Sequence, residues 1–179
     1  MPGMKAGSLF LVGLMGAGKT TVGRLLARRL KLRFHDSDHE IERRCGVKVP
    51  LIFEIEGEAG FRAREQQVIA ELAALHGIVL ATGGGAVLAC DSRRHLASRG
   101  TVIYLNARPE ELYLRVRHDR GRPLLATADP LARLRQLHAE RDALYRSVAD
   151  IVVDTGEQSV QVLTRGLIDK LEERWKASA

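Results

Sequence analysis

Cysteine is scarce in this sequence: Cys45 and Cys90 are the only two in 179 residues. Two thiols make no disulfide framework, and their surroundings show no metal-ligand pairing. Reduced thiols in a cytoplasmic protein are the expected state. Aromatic residues are also few, at 4%. The cations are not interleaved with stacking side chains, so nucleic acid is not expected as a partner. No apolar run approaches the roughly 20 residues a membrane span needs, so no membrane is expected either. Lys5 and the apolar stretch from Ser8 to Ala17 superficially resemble a signal peptide. That stretch, however, runs straight into Gly18-Lys19-Thr20. No repeat, low-complexity tract or Pro/Ser-rich linker interrupts the chain. Residues 1–179 are therefore read as one domain, a length that can bury a core without staples.

What is present is ordinary in amount and uneven in kind. Hydrophobic residues make up 45% and charged residues 28%, close to globular averages. The 28 cations exceed the 22 acids, giving a formal charge of +6, and 22 of the cations are Arg against 6 Lys. Arginine suits a protein that grips carboxylates and phosphates with two parallel hydrogen bonds.

Apolar runs and helical patterns alternate from end to end. Strands are expected at Ser8–Val12, Arg33–His35, Ile78–Ala81, Thr101–Leu105 and Ile151–Val153. Helices are expected after residue 18, over Asp36–Cys45, Glu58–His76 and Asp91–Ser98, from Pro109, through Leu131–Val148, and over Val160–Leu171. Short continuous apolar strands separated by helices predict an α/β fold, a three-layer sandwich around a parallel sheet. Residues 115–127 break the pattern. Arg115, Arg117, Arg120 and Arg122 crowd the start of this stretch, with Gly121 and Pro123 among them. It reads as an exposed, mobile loop.

Residues 13–20, Gly-Leu-Met-Gly-Ala-Gly-Lys-Thr, match the G-x-x-x-x-G-K-[ST] phosphate loop. The match follows a buried strand and opens a helix, as the chemistry requires. Glycines let backbone N–H groups curl around an anion, and the helix N-terminus adds partial positive charge. Lys19 is placed to reach the β/γ-phosphates and Thr20 to ligate Mg²⁺. A guanine-specific GTPase would need an N-K-x-D segment, which is missing. Motor-type ATPases carry an acid after a later strand, but none follows Ala81 or Leu105 directly. The acids follow the second strand, at Asp36 and Asp38. An acid pair there, in a short chain, fits a small-molecule kinase.

Asp36-Ser37-Asp38 stands at a strand-to-helix turn. One carboxylate can help hold Mg²⁺ while the other accepts a hydrogen bond from a substrate hydroxyl. A helix N-cap with a first-turn acid explains the same residues equally well. His35 and His39 have metal-ligand spacing, but His35 belongs to the strand end.

The phosphate loop, D-x-D, Phe61-Arg62, Gly83-Gly84-Gly85, Arg122-Pro123-Leu124-Leu125 and Arg141-x-x-Leu144-Tyr145 occur in a fixed order. Together they resemble the shikimate kinases over about residues 8–155. The resemblance implies a nucleoside-monophosphate-kinase-like fold, with a five-stranded parallel sheet in the order 2-3-1-4-5 and a mobile lid at 115–127. It implies transfer of the γ-phosphate of ATP to the 3-hydroxyl of shikimate, with Mg²⁺, by a cytoplasmic monomer. ATP then falls to Gly13, Gly16, Ala17, Gly18, Lys19, Thr20, Thr21, Arg115 and Arg122, and Mg²⁺ to Thr20 and Asp36. Shikimate falls to Asp38, Arg62, Gly84, Gly85 and Arg141, within a substrate region that begins at about 36–65. Lys19, Asp38 and Arg122 take the catalytic roles. Glu65, three residues after Arg62, can hold its guanidinium, and Phe53 and Phe61 can supply an apolar wall. The family often carries an arginine after the last strand, whereas residues 154–158 here contain none. Two other readings use the same fold: a gluconate-type kinase and a non-catalytic ligand sensor. The sensors carry an attached DNA-binding domain, which is not expected ahead of a first strand at residue 8.

Overall fold

The computed structural model describes residues 7–179; Lys5 lies outside them. The first strand, β1 (Leu9–Val12), leads through the phosphate loop into α1 (Lys19–Leu30). β2 (Arg33–Asp36), α2 (Ser37–Cys45), α3 (Val49–Ala73) and β3 (Ile78–Ala81) follow. Then come α4 (Cys90–Arg99), β4 (Thr101–Asn106), α5 (Pro109–Val116), α6 (Pro130–Val148), β5 (Ile151–Asp154) and α7 (Val160–Ala177). The five strands form one sheet in the order β2-β3-β1-β4-β5, and every pairing is parallel.

The strand sequences explain this layout. β1 and β3 are buried along their whole length, so both faces must be apolar and no in-out alternation survives. Helices cover them with apolar stripes: α1 buries Val22, Leu26 and Ala27, and α7 buries Leu163, Leu167 and Leu171. On α6 the buried positions are Leu134, Leu137, Arg141, Tyr145 and Val148. These recur at helical spacing, so the helix carries a guanidinium and a phenol inward with its apolar face. Among the described residues, no helix is long and apolar enough to cross a membrane.

Two expected boundaries change. The helix expected from Glu58 begins at Val49, and Gly57 (φ 71°, ψ −179°) kinks it. In its first segment Ile52 is buried and Val49 and Phe53 pack on the core, but Leu51 and Ile55 stay exposed, so apolar residues on both faces blur the period, and Pro50 and Gly57 read as breakers. Pro50 instead occupies the first turn, where no N–H is needed. Arg115, expected in the loop, lies in the last turn of α5. The loop proper runs over 117–129, with a single 3₁₀ turn at Pro123–Leu125.

Candidate active site

Parallel pairing brings the C-terminal ends of β2, β3 and β1 side by side. Asp36 is in register with Ala81, and Leu11 with Ala81 on the other side. The phosphate loop after β1, the acids after β2 and the glycines after β3 are thereby neighbours. This is the edge at which open α/β sheets bind ligands.

The phosphate loop closes against α5. Gly16 has φ 82°, and a Cβ there would lie 2.8 Å from Val116 Cγ1, so both conformation and space demand glycine. Lys19 is 8% exposed, and its Nζ donates to the carbonyls of Gly13 (2.5 Å) and Leu14 (2.9 Å). An ammonium has three donors, so one remains for a phosphate. Burial, reinforced by the Arg122 charge, lowers the Lys19 ammonium to about 8.

Asp36 serves the cap and the loop at once. Its Oδ1 accepts from the Asp38 and His39 N–H groups, capping α2, while its Oδ2 accepts from Thr20 Oγ1 at 2.8 Å. The two readings of this residue are therefore compatible, since each uses a different oxygen. Thr20 and Asp36 offer a hydroxyl and a carboxylate side by side. This all-oxygen pair fits Mg²⁺, which takes few protein ligands and completes its shell with phosphate and water. Among the described residues no cluster of three His, Cys, Asp or Glu could hold a metal, so His35 and His39 form no such centre.

Asp38 lies deeper. Its Oδ1 is buried and has no hydrogen-bond partner. Burial, then the neighbouring Asp36 charge, pushes its carboxyl above the usual range, against the pull of Lys19 and Arg122. Ser37 is fully buried between the two acids, and its Oγ accepts from the Gly83 N–H at 3.0 Å.

The other wall comes from α3 and α6. Arg62 Nη1 donates to Glu65 Oε1 at 2.8 Å, and its Nη2 to Glu58 Oε1 at 3.2 Å. The i,i+3 spacing of Arg62 and Glu65 produces the expected pair. Burial holds the Glu65 carboxyl up at about 7, although Arg62 pulls it down. Arg141 is only 3% exposed, yet its Nε and Nη1 have no hydrogen-bond partner. A buried guanidinium left unpaired is costly unless an anion completes it. Phe53 and Phe61 pack at 4.8 Å between ring centres and line the same cavity.

Two adjoining cavities result. One, about 330 Å³, is lined by Gly16, Gly18, Lys19, Thr20, Thr21 and Arg115. The second, about 380 Å³, is lined by Phe61, Arg62, Glu65, Gly84, Gly85 and Arg141. Asp36, Asp38 and Arg122 line both. Of the residues expected at the site, only Gly13 and Ala17 line neither; both are buried. Arg122 is held by Asp119, Nε to Oδ2, at 3.0 Å. Arg117 and Arg120 are exposed and line neither cavity. Arg115 reaches from α5 to the Gly16 carbonyl (3.0 Å), Thr155 Oγ1 and the Gly156 carbonyl (both 3.4 Å). It thus meets the segment after the last strand, which has no arginine of its own.

The sequence model of the shikimate kinases matches residues 15–172. The chain belongs to the shikimate kinase family. It is 63% identical over 168 residues to the shikimate kinase of Thiobacillus denitrificans, covering 94% of this chain and 92% of that one. It is 62% identical over 169 residues to the shikimate kinase of Ralstonia nicotianae, covering 94% and 89%. The shikimate kinase of Acinetobacter baumannii, solved in complex with shikimate, superposes with a TM-score of 0.93 at 45% identity, over 94% of each chain. A gluconokinase from Sinorhizobium meliloti superposes with a TM-score of 0.58 at 15% identity, over 97% and 95%; it shares the fold alone.

Within the family site, Ser37 and Tyr145 are the residues that sequence reasoning left without a role. Tyr145 stands in a motif quoted for Arg141, and Ser37 sits between two acids that drew all the interest.

Proposed function

We propose that this protein transfers the γ-phosphate of ATP to the 3-hydroxyl of shikimate, giving shikimate 3-phosphate and ADP. The observation that carries the reading is Arg141, a buried guanidinium with two unpartnered nitrogens. It shares with Arg62 a cavity that adjoins the phosphate loop. Two guanidinium forks suit a small substrate carboxylate. A neutral sugar would leave the buried Arg141 guanidinium unpaired.

The chemistry follows from what each group can do. Thr20 and Asp36 would hold Mg²⁺, which would neutralise phosphate charge alongside ATP. Lys19 and Arg122, which line the same phosphate-loop cavity, stabilise the transferring phosphoryl group. Asp38, placed in both cavities, accepts the hydrogen bond of the attacking hydroxyl and aims it at the phosphate. Arg62 and Arg141 grip the carboxylate, and the Phe53–Phe61 wall packs the ring. Arg115 and the Thr155–Gly156 segment hold the adenine end. The 117–129 loop closes as a lid and excludes water, so that ATP is not simply hydrolysed. The unpaired Cys45 and Cys90 support a reducing, cytoplasmic setting.

A coupled ADP-release assay tests this reading. Release is expected to need both Mg²⁺ and shikimate, and to be negligible with gluconate. Folded protein that releases ADP at the same rate without shikimate would overturn it.

A further inference from the structure

The Gly83–Gly85 turn is held from two sides. The Ser37 hydroxyl accepts from the Gly83 N–H at 3.0 Å. From the opposite side, the Tyr145 hydroxyl donates to the Gly84 carbonyl. Tyr145 is fully buried, and its ring stacks on Tyr104 at 4.9 Å between centres. Tyr104 is itself fastened, its hydroxyl bonded to Asp142 Oδ1 at 2.8 Å and Asn106 Oδ1 at 3.0 Å. Tyr145 therefore has no space to turn, and its hydroxyl, beside the Arg141 guanidinium, donates to one acceptor.

The peptide that this hydroxyl holds lies between the two arginines. A Cβ on Gly85 would collide with the Arg62 guanidinium, and one on Gly84 would lie 3.7 Å from Arg141 Nη1. No cis peptide occurs among the described residues, so the Gly84 C=O and the Gly85 N–H point in opposite directions across one planar unit. Fixing the carbonyl on Tyr145 therefore fixes the Gly85 N–H on the other side. Neither the Gly84 nor the Gly85 N–H has a protein acceptor among the described residues. Glycine peptides rotate easily, so the Gly85 donor needs an external restraint. Arg141 and Tyr145 are one helical turn apart on α6 and share its buried face. The same helix thus presents a guanidinium and locks the peptide beside it.

We propose that Tyr145 is a positioning residue, which sets the Gly84–Gly85 peptide so that the Gly85 N–H and the two guanidiniums converge on the substrate carboxylate. The inference rests on the phosphotransfer reading above. It adds a residue that touches neither substrate and acts through backbone.

Tyr145→Phe removes the hydroxyl and keeps the ring. With wild type first shown to need shikimate for turnover, the KM for shikimate is expected to rise about three- to tenfold, as for one lost buried hydrogen bond. The kcat and the KM for ATP are expected to stay within about twofold. Calorimetry gives a second readout: the preference for shikimate over its methyl ester is expected to shrink by a similar factor. A merely structural tyrosine would lower the melting temperature and leave both ratios unmoved, and that result would overturn the proposal. Equal rises in KM for ATP and shikimate would also overturn it. Tyr145→Met replaces the Phe variant where that does not fold. A wild type without shikimate-dependent turnover would instead sink the phosphotransfer reading itself.

Discussion

Lys19 carries one buried positive charge across the pH range in which the reaction must run. Its ammonium titrates near 8 rather than 10.5 because burial, then Arg122, penalises the charged form. A lowered folded value means that its contribution to stability is present above about 10.5 and lost as pH falls through about 8. For catalysis the sign is opposite, since only the charged form stabilises phosphate. The kcat/KM for ATP is expected to fall above pH 8, about tenfold per pH unit. On the acid side, Asp38 is held above the usual carboxylate range, so a second fall is expected at a pH higher than an ordinary aspartate would give. A pH profile of wild type against Asp38→Asn checks both limbs: the variant is expected to lose the acid limb and keep the basic one. A basic limb near 10 would contradict the role of Lys19. Lys19 and Thr20 were legible because eight positions of spacing constrain them. Arg141 was not legible from its own neighbours, since an arginine on a helix is usually solvated. Only tertiary packing buries it.

At the level of elements, the turn after β3 has the tightest steric demand. Gly83 faces acids: a Cβ there would lie 2.7 Å from Asp38 Oδ1 and 2.8 Å from Glu65 Oε2. Gly85 faces the Arg62 guanidinium. Gly85→Ala is therefore expected to displace Arg62 and raise the KM for shikimate about tenfold or more, while the KM for ATP changes little. Steady-state kinetics with each substrate varied in turn decide this, and a selective loss of ATP affinity would count against the assignment. Triple glycine made the turn visible in the sequence, because few other reasons place three together after a buried strand. The first segment of α3 was invisible for the converse reason. Its outward Leu51 and Ile55 interleave with the core-facing Val49, Ile52 and Phe53, so the hydrophobic period is blurred there. The kink at Gly57 then hides the continuity with the helix that follows.

Across the whole molecule, strand order does what no single motif can. Residues 36, 83 and 20 converge because β3 lies between β2 and β1, although β3 follows both in the chain. Alternating apolar runs and helices foretold the parallel sheet, whereas the order of its strands came with the family resemblance. The arginine excess also looks different in three dimensions. Arg62, Arg115, Arg122 and Arg141 line the two cavities, while Arg43, Arg44, Arg64, Arg94 and Arg108 pair with acids at the surface. Such exposed pairs contribute little to stability. Nothing in the structure explains the preference for arginine over lysine at those sites. Two adjoining cavities with Asp38, Asp36 and Arg122 between them make a direct claim: phosphate passes from a nucleotide on one side to a hydroxyl on the other. Phosphorus NMR of a reaction with equal ATP and shikimate measures that transfer. The expected result is one phosphate monoester on the 3-hydroxyl for each ADP formed. Inorganic phosphate alone, or a monoester at another hydroxyl, would contradict it.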